Sequence, residues 1–247
     1  IVGPSLGEEN INSGLWSFVF AFILVLFYMI FYYKRAGWVA NVALIANVFF
    51  IIGTLASLGA ALTLPGIAGL VLTIGMSVDA NVLIYERVRE ELKNGKGIKL
   101  AVQDGYKHAY SAIIDANVTS LLTAVVLAYF GSGPIQGFAT TLIIGVFTSL
   151  FCAIFVTRLI FSYLMDTKRE VQFSRKITEN LFTGTTISFM KKRKVFYVFS
   201  GLIVAFGIYS LATRKLDGGV EFTGGGTFSV EFREKMDKSA VKSTITE

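Results

Sequence analysis

Long apolar runs alternate with short polar segments along this chain. Six runs are long enough to cross the ~30 Å hydrocarbon core of a bilayer as helices, which takes about 20 residues. They occupy residues 13–33, 38–58, 65–85, 111–130, 135–163 and 195–213. Pro65 and Pro134 open the third and fifth runs, where a helix loses nothing by lacking a backbone N–H. The pattern predicts an all-α polytopic membrane protein with about six transmembrane helices.

The composition supports a membrane environment. Of 247 residues, 53% are hydrophobic and only 16% are charged, which is more apolar surface than one soluble core could bury. The net charge of +6 could attract nucleic acid, but the basic residues cluster beside the apolar runs, so no nucleic-acid partner is predicted. The single cysteine, Cys152, lies in an apolar run and excludes an internal disulfide.

The distribution of basic residues predicts the orientation. If the first run crosses from outside to inside, the inner segments hold 17 Lys and Arg and the outer segments hold six, most of them in the polar tail. Because short cytoplasmic loops carry an excess of Lys and Arg, both ends of the chain are predicted to face outward.

Two polar segments carry weaker patterns. Residues 86–110 keep Val88, Leu92 and Val102 at helical spacing among charges, which predicts a helix lying along the inner membrane surface with His108 as an interfacial anchor. After the sixth run, a glycine-rich turn precedes the alternating Phe228–Phe232, which predicts the start of an outside α+β domain.

Two matched triplets carry the candidate chemistry. Asp79-Ala80-Asn81 and Asp115-Ala116-Asn117 hold the deep acidic residues of the six runs. A carboxylate at bilayer depth costs several kcal/mol, so it usually faces a protein interior or a water pathway and serves function. A neutral Asp that only holds helices together is the structural alternative.

The two aspartates are predicted to lie at similar depth. Asp79 follows Pro65 by 14 residues, roughly 21 Å along a helix, and Asp115 lies near the inner end of a run with the opposite direction. Neighbouring antiparallel helices would bring the carboxyls close together, so at least one should carry a proton near neutral pH. Asn81, Asn117 and Thr119 are the polar neighbours predicted to complete a proton pathway.

Several stretches closely resemble the SecD/SecF family of bacterial protein-export membrane proteins, a branch of the RND transporter superfamily. The most specific is Gly75-Met76-Ser77-Val78-Asp79-Ala80-Asn81-Val82-Leu83-Ile84-Tyr85-Glu86-Arg87. The others are residues 2–7, 114–119, 131–134 and 137–139, together with the SecF-like Phe222-Thr223-Gly224-Gly225.

This resemblance implies an RND-type helical bundle and a division of the chain. The implied parts are the end of a periplasmic SecD region (1–12), five SecD spans (13–165), a cytoplasmic linker (166–194), the first SecF span (195–215) and the start of a periplasmic SecF domain (216–247). The first SecD span, the large periplasmic domain and most of SecF are expected to lie outside this sequence, so the chain alone should be inactive.

The resemblance also implies function and partners. The family assists the Sec translocase and uses the proton gradient, or a sodium gradient, to drive preprotein export across the inner membrane. It implies Asp79 as a proton-pathway residue with Asp115 as its companion, and no cofactor. The implied partners are the SecY-SecE-SecG channel, SecA, the preprotein, YajC, YidC and the lipid membrane, and the chain is not expected to be an enzyme.

Three alternatives stay open at this stage. An RND exporter of lipids or small molecules would share inward aspartates but should lack the SecF-like stretch at 216–227. An intramembrane aspartyl protease also needs two carboxylates on adjacent helices, but its Gly-x-Gly-Asp motif is missing because Gly75 precedes Asp79 by four positions. A purely structural scaffold would use the polar residues only to hold helices together.

Overall fold

The computed structural model describes residues 4–60, 63–167, 171–174, 190 and 192–216, with side chains from Ile11 onward. The helices are α1 (Pro4–Tyr33), α2 (Arg35–Ser57), α3 (Leu64–Lys93), α4 (Ile98–Phe130), α5 (Pro134–Phe151), α6 (Thr157–Asp166) and α7 (Arg193–Arg214). A π-helical turn, Cys152–Val156, joins α5 to α6 in one continuous rod. The described residues include no β-strand.

Six apolar helices confirm the predicted number of spans. Each is long and apolar enough to cross a membrane, and the fifth is the rod Pro134–Asp166. The chain forms two compact units, Ile1–Gly184 and Thr185–Glu247. Of the predicted outside domain, 216–247, only Leu216 is described, so that prediction lies outside the described residues.

Both predicted proline starts are confirmed. At α3, Thr63 caps the helix because its Oγ1 accepts a hydrogen bond from the Gly66 N–H at 3.1 Å, and Pro65 lies in the first turn. Pro134 starts α5 directly after Gly133, whose φ of +52° favours glycine.

Helix α3 lies at the centre of the first unit. It packs against α1, α2, α4 and α5. One stripe of α3 is buried at helical spacing, and it includes Leu70, Thr73, Ser77, Ile84 and Val88.

Close packing of α3 against α5 depends on small residues. A Cβ at Gly145 would lie 2.3 Å from Thr73 Cγ2, and one at Gly69 would lie 3.1 Å from the Phe138 carbonyl oxygen. Small residues allow helix backbones to approach in a membrane, and Gly66 and Gly137 are also in close contact with their neighbours. Gly75 differs, because a Cβ there would meet nothing within 4 Å in the described structure.

The prediction of a separate surface helix over 86–110 is wrong. Helix α3 continues to Lys93 and α4 already begins at Ile98, so this segment is a helical hairpin that extends both spans. Val88 and Val102 are buried in the same core cluster, and Val88 packs against Gly105, where a Cβ would lie 2.4 Å from Val88 Cγ2. The apolar residues therefore pair the two helices instead of facing lipid.

An ionic cluster closes the tip of this hairpin. The ammonium of Lys96 lies 2.7 Å from Glu91 Oε2 and 2.6 Å from Asp104 Oδ2, and His108 Nδ1 lies 3.1 Å from Glu91 Oε1. Hydrogen bonds to Asp104 and Glu91 raise the pKa of Lys96 above its usual value. The single histidine thus contacts this cluster.

Lys96→Met is expected to loosen the hairpin, since it leaves Glu91 and Asp104 without their shared cation. The melting temperature of the purified protein should fall by a few degrees at low salt and by less at high salt, because salt screens ion pairs. Lys99→Met is the matched control, since Lys99 makes no ion pair within the described residues. Equal melting curves for the two variants would contradict a role of the cluster in stability.

The predicted linker contains a packed piece. Phe173 is 3% exposed and its ring stacks on Phe161 at 5.3 Å and meets Tyr85 edge-on at 5.5 Å. The Ala36 N–H donates to the Gln172 carbonyl at 3.1 Å, which ties this piece to the start of α2. Residues 171–174 therefore belong to the core of the first unit.

Candidate functional site

A small pocket lies between α3 and α4. Its volume is about 50 Å³, enough to hold at least one water molecule. It contains Asp79 of α3 and Asn117 of α4, the acid of one triplet and the amide of the other. The complete lining is Met76, Asp79, Ala80, Leu83, Ile113, Ala116, Asn117 and Ser120.

Helix geometry explains this lining. Residues 76, 79, 80 and 83 of α3 follow the spacing i, i+3, i+4, i+7, and residues 113, 116, 117 and 120 of α4 follow the same spacing. Each set is one face of a helix, and the two faces meet. Met76, Leu83 and Ala116 were not predicted as site residues, although this spacing around Asp79 and Asn117 could have identified them.

The first triplet divides between two faces of α3. Asp79 is exposed and lines the pocket, whereas Asn81 is 1% exposed and lies in the buried stripe of α3. Asn81 Nδ2 donates to the Ser77 carbonyl at 3.2 Å, one turn earlier on the same helix. Two positions correspond to about 200° around an α-helix, so the acid and the amide of a triplet cannot share a face.

The second triplet divides in the opposite sense. Asn117 is 7% exposed and reaches the pocket, and its Nδ2 donates to the Ile113 carbonyl at 2.7 Å. Asp115 is exposed and is not among the described residues that line the pocket. Its Oδ2 lies 3.5 Å from Ser111 Oγ, at the limit of a hydrogen bond.

Thr119 also lies outside the pocket lining. It is exposed, and its Oγ1 donates to the Asp115 carbonyl at 2.9 Å. Ser120, one position further, does line the pocket, and its Oγ donates to the Ala116 carbonyl at 3.0 Å. Of the five predicted pathway residues, the structure therefore places Asp79 and Asn117 in one pocket, and Asp115, Asn81 and Thr119 elsewhere.

Three buried polar atoms of α3 and α4 have unused hydrogen-bonding capacity, and one of them belongs to Asn117, which lines the pocket. Ser77 Oγ, Asn81 Oδ1 and Asn117 Oδ1 have no hydrogen-bond partner among the described residues. A buried polar atom left unpaired costs roughly 1–3 kcal/mol, so such atoms are rare and usually serve a partner. Asn117 Oδ1 can accept a hydrogen bond from a protonated carboxyl or from water.

Comparisons with known proteins identify the same family over about two thirds of the chain. Residues 1–167 match the family described as protein export membrane protein SecD/SecF, C-terminal. The protein translocase subunit SecD of Rhodothermus marinus is 57% identical over 164 residues, which cover 66% of this chain and 26% of that protein. The same subunit of Desulfurispirillum indicum is 52% identical and is covered to 32%. The chain thus spans a third or less of these two relatives.

Solved structures share the fold. The crystal structure of SecDF, a translocon-associated membrane protein from Thermus thermophilus, superimposes with a TM-score of 0.82 at 34% identity, over 91% of this chain and 30% of that one. SecDF in a super-membrane-facing form gives a TM-score of 0.77 over 88% of this chain. The expected helical membrane bundle of this type is confirmed.

Proposed function

This chain belongs to the SecD/SecF family of protein export membrane proteins, and from that premise we propose that it assists the Sec translocase in moving preproteins across the inner membrane, driven by the proton gradient. Its transport-type role agrees with relatives that are named protein translocase subunits. The observation that most supports this proposal is that Asp79 lines a pocket together with Asn117.

Asp79 is the proposed proton carrier. Its carboxyl lies in the pocket between two membrane helices. An ionisable group at this depth costs free energy, so it usually serves a function. Asn117 Oδ1 accepts a hydrogen bond when Asp79 is protonated, and a polar groove of this size admits water when the carboxylate is charged. Protonation removes the charge, so it changes how favourably α3 packs against a neighbouring apolar helix.

Asp115 has a supporting role in this proposal. It lies on α4 two residues before Asn117 and is exposed, so in this proposal it exchanges protons with the surroundings of the helix bundle. Asn81 and Thr119 each donate a side-chain hydrogen bond to the backbone carbonyl one turn earlier on the same helix. The proposed partners are the SecY-SecE-SecG channel, SecA and the preprotein, with YajC, YidC and the surrounding lipid as further contacts.

Dissipating the proton gradient is expected to stop the contribution of this protein to export. The measurement is preprotein translocation in membrane vesicles with and without the complete protein, after addition of a protonophore. The difference between the two preparations should disappear. A sodium ionophore in sodium-rich buffer is the control and should leave the difference intact.

The reverse outcome would overturn the choice of ion. If the sodium ionophore removes the difference and the protonophore does not, sodium is the coupling ion and Asp79 binds it. If neither ionophore has an effect, the gradient is not used and the pocket has another role.

A further inference from the structure

A second, larger pocket lies between α4 and the π turn and α6 of the rod, with Ile84 of α3 also in its lining. Its volume is about 420 Å³, and it is closer to the α3–α4 hairpin than the Asp79 pocket. Two cations line it, Lys107 from α4 and Arg158 from α6, together with Gln103 and Tyr110. No acidic side chain is among the described residues that line it.

One hydrogen bond joins the two helices that carry the cations. The hydroxyls of Tyr106 and Thr157 lie 2.5 Å apart, and both residues are buried. This contact lies beside the pocket, whose lining includes Tyr106. Lys107 and Arg158 are the next residues of their helices, and both are exposed at the pocket.

The π turn completes the pocket wall. It supplies Ile154 and Phe155, and Phe155 remains 63% exposed. A π turn inserts one extra residue into a helix, which rotates the following residues by about 100° relative to an uninterrupted α-helix. The turn therefore determines the direction in which Arg158 points.

The pocket combines a cationic mouth with an apolar wall. Lys107 and Tyr110 precede the predicted span 111–130, and Arg158 lies near the end of the predicted span 135–163. At this level the headgroups of the cytoplasmic leaflet meet the acyl chains, and Tyr is enriched there. Ile154 and Phe155 extend from the cations along the rod.

We propose that this pocket binds an anionic phospholipid of the cytoplasmic leaflet. The phosphate lies between Lys107 and Arg158, and Gln103 and Tyr110 donate hydrogen bonds to it. The acyl chains cover Ile154 and Phe155. Ile154 and Phe155 lie within the predicted span 135–163, where acyl chains are the surrounding medium, so a lipid is the occupant that matches both parts of the pocket.

The test is native mass spectrometry of the complete protein in detergent, titrated with phosphatidylglycerol or with phosphatidylcholine. Wild type should bind one phosphatidylglycerol in clear preference. Neutralising either cation, with Lys107→Gln or Arg158→Gln, should weaken phosphatidylglycerol binding roughly fivefold, and the double variant roughly thirtyfold. Phosphatidylcholine binding should not change.

Two further variants separate the site from general charge and from folding. Lys99→Gln removes a cation from the same helix outside the pocket lining and should bind like wild type. The pair Lys107→Arg with Arg158→Lys keeps both charges and should keep the preference.

Three outcomes would overturn the proposal. The first is a double variant that binds phosphatidylglycerol as tightly as Lys99→Gln. The second is wild type that shows no preference, as expected if another protein segment covers the groove. The third is inorganic phosphate displacing the lipid at equal concentration, which would identify a site for the free anion.

Discussion

Asp79→Asn is expected to abolish the gradient-driven contribution to export while leaving the protein folded. Asparagine has nearly the same size as aspartic acid, so the pocket with Asn117 and Ser120 stays filled. It cannot take or release a proton, which removes the carrier step completely. The measurement is preprotein translocation in vesicles that carry the complete protein, where the activity should fall to that of vesicles without it.

Asp115→Asn is the matched control for this experiment. It makes the same chemical change at the same position of the matching second triplet, but outside the pocket lining. We expect partial activity from this variant, and we expect Asp79→Glu to keep more activity than Asp79→Asn because it retains a carboxyl. Full activity in Asp79→Asn would remove Asp79 from the mechanism. Equal losses in Asp79→Asn and Asp115→Asn would mean that the two carboxyls act as one unit.

Gly37→Ala is expected to lower the free energy of unfolding of the helix bundle strongly. A Cβ at Gly37 would lie 2.1 Å from the Met29 carbonyl oxygen and 2.9 Å from Ile30 Cα. Both atoms are backbone, so no side-chain rotation relieves the clash, and α1 must move away from α2. Overpacking usually costs about 1–3 kcal/mol, and a backbone clash at a tight turn belongs at or above the upper end. Thermal unfolding of the purified protein measures the loss.

Gly53→Ala controls for the substitution itself. Gly53 lies on the same helix, and a Cβ there would meet nothing within 4 Å in the described structure. Alanine favours a helix over glycine by up to ~1 kcal/mol, so this variant should be as stable as wild type or more stable. If the Gly37→Ala and Gly53→Ala proteins had the same melting temperature, the turn between α1 and α2 would have adjusted without loss of stability.

The number of spans followed from the sequence because hydropathy is a local property. A run of about 20 apolar residues has few places to go other than the bilayer, and all six runs became helices. The proline starts followed for the same reason, since a missing N–H acts within one turn. The ends of the helices were less predictable. Helix α3 continues beyond its apolar run to Lys93, and α4 begins before its apolar run, at Ile98.

The hairpin was misassigned because an amphipathic pattern does not say what covers its apolar face. Val88 and Val102 have the spacing of a surface helix, but they pack into the core cluster of the first unit. The burial of residues 171–174 could not be predicted either, because this segment shows no periodicity. Their burial depends on the aromatic side chains Tyr85 and Phe161, which are distant in sequence.

The sequence by itself determined that deep carboxyls exist on two adjacent antiparallel helices, and that the chain needs a membrane to cover its apolar surface. Only the tertiary structure decided which polar side chains line the same pocket. The matched triplets suggested a pair of carboxyls, but the pocket is lined by Asp79 and Asn117, and Asp115 lies outside its lining. The physical reason is helix rotation: the sequence spacing relates residues on one helix, whereas packing against neighbours, such as Thr73 against Gly145, determines which face each helix presents.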